Sequence, residues 1–219
     1  MYILLSMSTP EPPMSISRSR QKRVGAALRE DTRNRLLEAA AEEFSANGYA
    51  GSTVARLAAA AGVSVQTLYL AWGSKRALLR AYMENALAGD LESPEHAGRR
   101  FTGMAPRERL TELAAVVADV AERAATGWKL YRDAAAVDPE IAADWQELQS
   151  LRHRTLSTIL GDVPVSALVE GLTPQKAIDT AWVIASPESY ELLVRRLGYT
   201  LAEFRVWMEE TLGAAILAS

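Results

Sequence analysis

The chain has 219 residues, 49% of them hydrophobic and 23% charged, with a formal net charge of −3 and no cysteine. That is apolar material for one large helical domain or for a small and a medium one, and the absence of cysteine excludes disulfides, thiolate metal sites and thiol nucleophiles. The apolar run Tyr2 to Leu5 is too short for a signal peptide, and no segment approaches the roughly 18 apolar residues that span a bilayer, so a cytoplasmic protein without membrane contact is expected.

Alternating Val, Ile, Thr and aromatic runs are scarce, while Ala, Leu, Glu and Arg dominate, which predicts an all-α fold. Residues 1–28, with Pro10, Pro12 and Pro13 followed by Arg18, Arg20, Lys22 and Arg23, have the composition of a flexible basic arm. A first helix is predicted from Asp31, a plausible N-cap, to Asn47 before Gly48, with Leu36, Leu37, Ala40 and Phe44 on one face. Thr53 caps a second helix and Ser64 a third, with Ala61-Gly62-Val63 as the turn between them. Ser74 caps a fourth, from Lys75 to about Ala88.

Leu57, Ala58, Ala61, Val63, Leu68 and Trp72 can share one small core, which leaves Val65, Gln66, Thr67, Tyr69 and Leu70 pointing outward. A helix-turn-helix sets its second helix in a DNA major groove with this layout. The charge distribution agrees: residues 15–80 hold 11 Lys/Arg against 5 Asp/Glu, or +6, and the remainder carries −9. The predicted domains are the arm, a helix-turn-helix domain over 29–88, and a helical domain over 105–219.

Gly89 to Met104 contains Gly89, Pro94, Gly98 and Gly103 without periodicity and is predicted as the boundary. Beyond it, Pro106 opens a helix with apolar residues at 110, 113, 114, 117, 120, 121 and 124, followed by a shorter helix from Trp128 to Val137. Asp138-Pro139 caps a long helix to Leu160, and Gly161 to Gly171 is a loop. Thr173-Pro174 and Ser186-Pro187 begin further helices, Gly198 stops the second of these, and Thr200 with Glu203 forms a capping box for the last helix.

These residues resemble the tetracycline-repressor-like (TetR) family of bacterial transcriptional regulators. The likeness is carried by Leu37 to Ala40 with Phe44, Gly48-Tyr49, Thr53-Val54, Leu57-Ala58, Ala61 to Ser64, Thr67-Leu68-Tyr69, Trp72, Ser74-Lys75 and Leu78, about 45 residues without a gap. It implies that Thr53 and Tyr69 bond phosphates, that Lys75 pairs with another, and that helix N-termini such as that capped by Ser64 add backbone donors. Base edges would fall to Val65, Gln66, Thr67 and Leu70; Gln66 can pair with adenine, and Val65 or the Thr67 methyl can touch a thymine methyl. Gln66 stands where many members carry Gly, and Trp72 where Phe is common.

The resemblance also implies a homodimer through the last two long helices, a pseudo-palindromic duplex operator, and a repressor released by a small molecule. Trp128, Tyr131, Trp145, Leu148 and Trp182 are candidate walls for an apolar or aromatic effector. No cofactor is expected: His96 and His153 lack metal-ligand spacing, and neither a phosphate-cradling loop nor a Ser-His-Asp arrangement is suggested, so an enzyme is the weaker alternative. A helical interaction protein that contacts protein rather than DNA is the other.

Overall fold

A computed structural model describes residues 14–88 and 93–218. The all-α expectation holds: ten α-helices are present among these residues and no strand, apart from one antiparallel bridge between Leu168 and Leu217. They are α1 (Met14–Gly51), α2 (Val54–Ala60), α3 (Val65–Trp72), α4 (Lys75–Leu87), α5 (Pro94–Phe101), α6 (Pro106–Ala135), α7 (Pro139–Leu160), α8 (Pro174–Ile184), α9 (Pro187–Tyr190) and α10 (Leu201–Ile216). A wide π turn over Glu191–Arg196 follows α9.

The side-chain caps sit where the sequence predicts them. Thr53, Ser64, Ser74, Asp138, Thr173, Ser186 and Thr200 each accept from a backbone N–H in the first turn of the following helix. Each satisfies a donor that the helix itself cannot, so a local pattern fixes each start.

Three elements differ from expectation. Helix α1 begins at Met14 rather than Asp31, because nothing between them breaks a helix; Asp31 lies inside it and pairs with Arg35 at 3.2 Å. The expected arm over 14–28 is therefore helical backbone, and the portion over 1–13 lies outside the described residues. Part of the expected boundary is the helix α5, capped by Ser93, with Ala97 and Phe101 buried. The two helices expected over 106–137 are one helix of 30 residues, continuous through Gly127.

Gly127 is where α4 crosses α6: a Cβ there would lie 2.6 Å from the sulfur of Met83 and 3.4 Å from a ring carbon of Tyr82. This close approach builds one continuous core from Leu36, Phe44, Leu57, Leu68, Leu78 and Met83 of the first four helices and Val120, Ala124, Trp128 and Tyr131 of α6. A second core joins α5, α6, α7, α8 and α10 through Phe101, Leu113, Ile159, Ile178, Phe204 and Leu212. Arg109 of α6 staples α7 by donating to the Ile159 carbonyl at 2.7 Å and to Asp162.

The last helices turn much of their expected partner face inward. Phe204, Met208, Leu212 and Ile216 are buried in the chain's own core. Val183, Leu192, Leu197 and Val206 stay more than half exposed.

Phe101 tests whether α5 is structural rather than a linker. Phe101→Ala should lower unfolding stability by about 3–5 kcal/mol in denaturant titrations, the usual cost of emptying a fully packed aromatic site. A loss below about 1 kcal/mol would show that α5 packs nothing of consequence.

Candidate nucleic-acid interface

Helices α2 and α3 meet at 96°, within the range of a DNA-reading helix-turn-helix. The turn follows from its residues. Gly62 takes φ +66°, which an L side chain adopts only with strain, and its N–H donates to Ala59; Val63 N–H donates to Ala58 at 2.9 Å. Arg35 of α1 reaches the Ala61 carbonyl at 3.4 Å and ties the turn to the domain. Ser64 then restarts the chain: its Oγ accepts from Thr67 N–H at 3.0 Å and lies 2.8 Å from the Thr67 hydroxyl.

Leu68 is the only fully buried residue of α3 and anchors it to Leu57 and Phe44. Helical phase then turns Val65, Gln66, Tyr69 and Leu70 outward, with Leu70 at 81% exposure, while Thr67 is half-buried against its cap. Thr53 is exposed beside this face at the start of α2.

Lys75 is less free than expected. Its Nζ donates to the Tyr49 carbonyl at 2.9 Å and sits 4.0 Å from the centre of the Tyr49 ring, and burial pulls its pKa below the ordinary lysine value. One of its three N–H donors is thus occupied in holding the end of α1 against α4. Arg33 was missed by sequence reasoning: it is exposed on α1, its guanidinium 4.0 Å from the ring centre of Trp72. No local signal joins two residues so far apart in the chain.

Arg76 and Arg80, counted in the basic window, turn away from this face. Arg76 makes a two-point pair with Asp144 of α7, at 2.7 and 2.9 Å, and also reaches Glu140; Arg80 approaches Asp144 and Glu147. Hydrogen bonding from Arg76 holds the Asp144 carboxyl below its usual range, against the opposing effect of burial.

An apolar cavity of about 70 Å³ lies between α4, α6, α7 and α9, lined by Leu87, Val120, Trp128, Leu148, Leu156 and Pro187 among others. Of the five expected wall residues, Trp128 and Leu148 line it. Tyr131 instead faces an adjoining polar groove with Leu148. Trp145 is one turn too early on α7 and packs edge-on behind Trp128, ring centres 5.6 Å apart. Trp182 lies beneath the guanidinium of Arg152, outside the cavity wall. No group of three or more His, Asp or Glu able to hold a metal ion occurs among the described residues. No single helix among them is long and apolar enough to cross a membrane.

Residues 36–82 match the sequence model of the bacterial regulatory proteins of the tetR family. No curated protein gives a significant match. Among solved structures, native NalD of Pseudomonas aeruginosa, described as the secondary repressor of the MexAB-OprM multidrug efflux pump, aligns with a TM-score of 0.70 at 18% identity, over 87% of this chain and 99% of that one. SmeT in complex with triclosan aligns at 0.69 and 20% identity, over 86% and 92%. FadR of Bacillus subtilis in complex with stearoyl-CoA aligns at 0.59 and 21% identity, over 81% and 96%.

The Asp144 pairing makes stability depend on acid. Its folded pKa is depressed, so the contribution is complete above the ordinary aspartate pKa of about 3.9 and is lost as pH falls through the folded value. Asp144→Asn should lower the melting temperature at pH 7 by a few degrees and flatten the decline of melting temperature below about pH 4. An unchanged acid limb would assign that decline to other carboxylates.

Proposed function

We propose that this tetR-family regulator is a sequence-specific, duplex-DNA-binding transcriptional repressor whose operator affinity is set by a small molecule in the α6–α7 cavity. The observation that carries the reading is the course of α4. It starts at the Ser74 cap next to the reading helix and ends at Leu87 in the cavity wall, about 20 Å away at 1.5 Å per residue.

On this reading, Val65, Gln66, Thr67 and Leu70 meet base edges. Thr53, Tyr69, the two remaining donors of Lys75 and the N-terminus capped by Ser64 hold phosphates. A homodimer is supported by the exposed apolar side chains of Val183, Leu192, Leu197 and Val206 on the terminal helices and the π turn. It would set two reading helices about 34–36 Å apart on a pseudo-palindromic operator.

The cavity size supports release by ligand. At about 70 Å³ it is far smaller than the roughly 300–1,000 Å³ of pockets for drug-sized ligands. A larger effector must spread α7 from α6, and a molecule that fits only the spread state shifts the population toward it. Movement of α7 draws Asp144, and with it Arg76 and Arg80 of α4, so the reading heads change their separation.

Retention of labelled duplex on the purified protein across a salt series tests the DNA reading, since affinity carried by phosphates falls steeply with salt. Tyr69→Phe and Lys75→Ala should weaken operator and random duplex together, with Lys75→Ala reducing the salt slope by about 1, whereas Gln66→Ala should relax preference at one base pair. No retention at low salt sinks the function; an unchanged footprint in all three variants removes the contact assignment.

A further inference from the structure

Arg152 lies in the wall of the apolar cavity, on α7 beside Leu148, Leu151, Thr155 and Leu156. Its position is fixed from several sides. Nη1 donates to the carbonyls of Trp182 at 2.8 Å and Ala185 at 3.2 Å, where α8 ends, and Nε donates to the side-chain carbonyl of Gln149 at 3.2 Å. The guanidinium carbon sits 4.5 Å from the ring centre of Trp182.

All of these partners are neutral. Among the described residues no carboxylate comes within ion-pair distance of Arg152; Glu188 acts on it only from farther away. Nη2 has no protein acceptor among the described residues and is not one of the buried polar atoms left without a partner, so its two N–H bonds are open to water or to a ligand. Burial pulls the guanidinium pKa down to about 10, the sign of a cation held where its charge is poorly compensated. A guanidinium built into an apolar wall is costly unless an anion completes it, and its planar fork matches a carboxylate.

We propose that the effector is an amphipathic acid whose carboxylate binds Arg152 and whose aliphatic chain lies along Val117, Val120, Leu156 and Ile159. The inference rests on the ligand-responsive reading above and gives its ligand a charge. One carboxylate oxygen accepts from Nη2; the other displaces the weakly held Gln149 amide from Nε, which completes a side-on two-point pair. A purely apolar ligand fills the same wall and leaves the cation as it stands.

The test uses the full-length protein without DNA, titrated calorimetrically with sodium alkanoates from butanoate to octanoate and with the primary alcohols of the same chain lengths. At least one alkanoate should bind about tenfold or more tightly than its alcohol. Arg152→Gln should bring acid and alcohol to equal affinity, Arg152→Lys should keep part of the preference, and Glu188→Gln should tighten the alkanoate. The proposal is overturned if no alkanoate binds at millimolar concentration, if alcohols bind as well as acids, or if a folded Arg152→Gln protein keeps the preference. Should Arg152→Gln fail to fold, an undiminished preference in Arg152→Lys alongside unchanged Glu188→Gln affinity overturns it equally. Because no DNA is present, failure here leaves duplex binding intact, and loss of duplex binding in the salt series leaves the alkanoate result standing.

Discussion

The close packing of α4 on α6 at glycine 127 joins the first four helices to the rest of the chain. With any side chain there, the sulfur of Met83 would be at 2.6 Å, inside contact distance, and the Met83 and Tyr82 side chains of α4 would have to give way. Glycine within a helix costs about 0.5–1 kcal/mol relative to alanine, which the helix tolerates because the approach it permits buries Leu78, Leu79 and Met83 against α6. Helices α2 and α3 pack chiefly on α1, and α4 joins that unit to α6 at this close approach. An alanine here would gain helix propensity and lose fit, two effects of similar size and opposite sign.

The same junction rearranges the charges. The window 15–80 carries +6, yet Arg35 faces Asp31, Arg56 faces Glu43, and Arg76 and Arg80 face acids of α7. A count of residues therefore overstates the positive field at the reading face. Pairs near the surface such as Arg56–Glu43 contribute little to stability. Asp144 is different, because it is buried and receives two hydrogen bonds from one guanidinium. Part of the basic character of the amino-terminal third serves to hold it onto the acidic remainder.

What could be read from the sequence was local. Thr53, Ser64, Ser74, Asp138 and Thr200 mark helix starts because a cap bonds within three residues, and Gly62 and Gly198 mark stops because their φ is positive. The outward face of α3 was legible for the same reason, since Leu68 sets its phase. A glycine with another purpose misled: Gly98 lies inside α5, where a Cβ would press on Thr158 of α7 at 3.1 Å. A single sequence does not separate a glycine that stops a helix from one that lets a second helix approach. Contacts across long separations, Arg76 with Asp144 or Arg33 with Trp72, left no trace in local pattern. Trp145 has the right residue type and helix for the cavity but the wrong angle about the helix axis, and Trp182 stands on α8, no residue of which lines it.

The continuous core has a thermodynamic consequence. Phe44, Leu57 and Leu68 of the reading unit share one apolar cluster with Trp128 and Tyr131 of α6. A unit of about 60 residues whose buried surface is partly supplied by another segment is not a separate cooperative folding unit. Heat capacity, denaturant sensitivity and melting then belong to head and body jointly. On the proposed function, occupancy of a cavity whose wall includes Trp128 would stabilise α2 and α3 against unfolding at the same time as it altered their spacing. Weakened operator binding in the liganded protein would accordingly be a change of geometry in a more stable molecule, not a partial melting of the head.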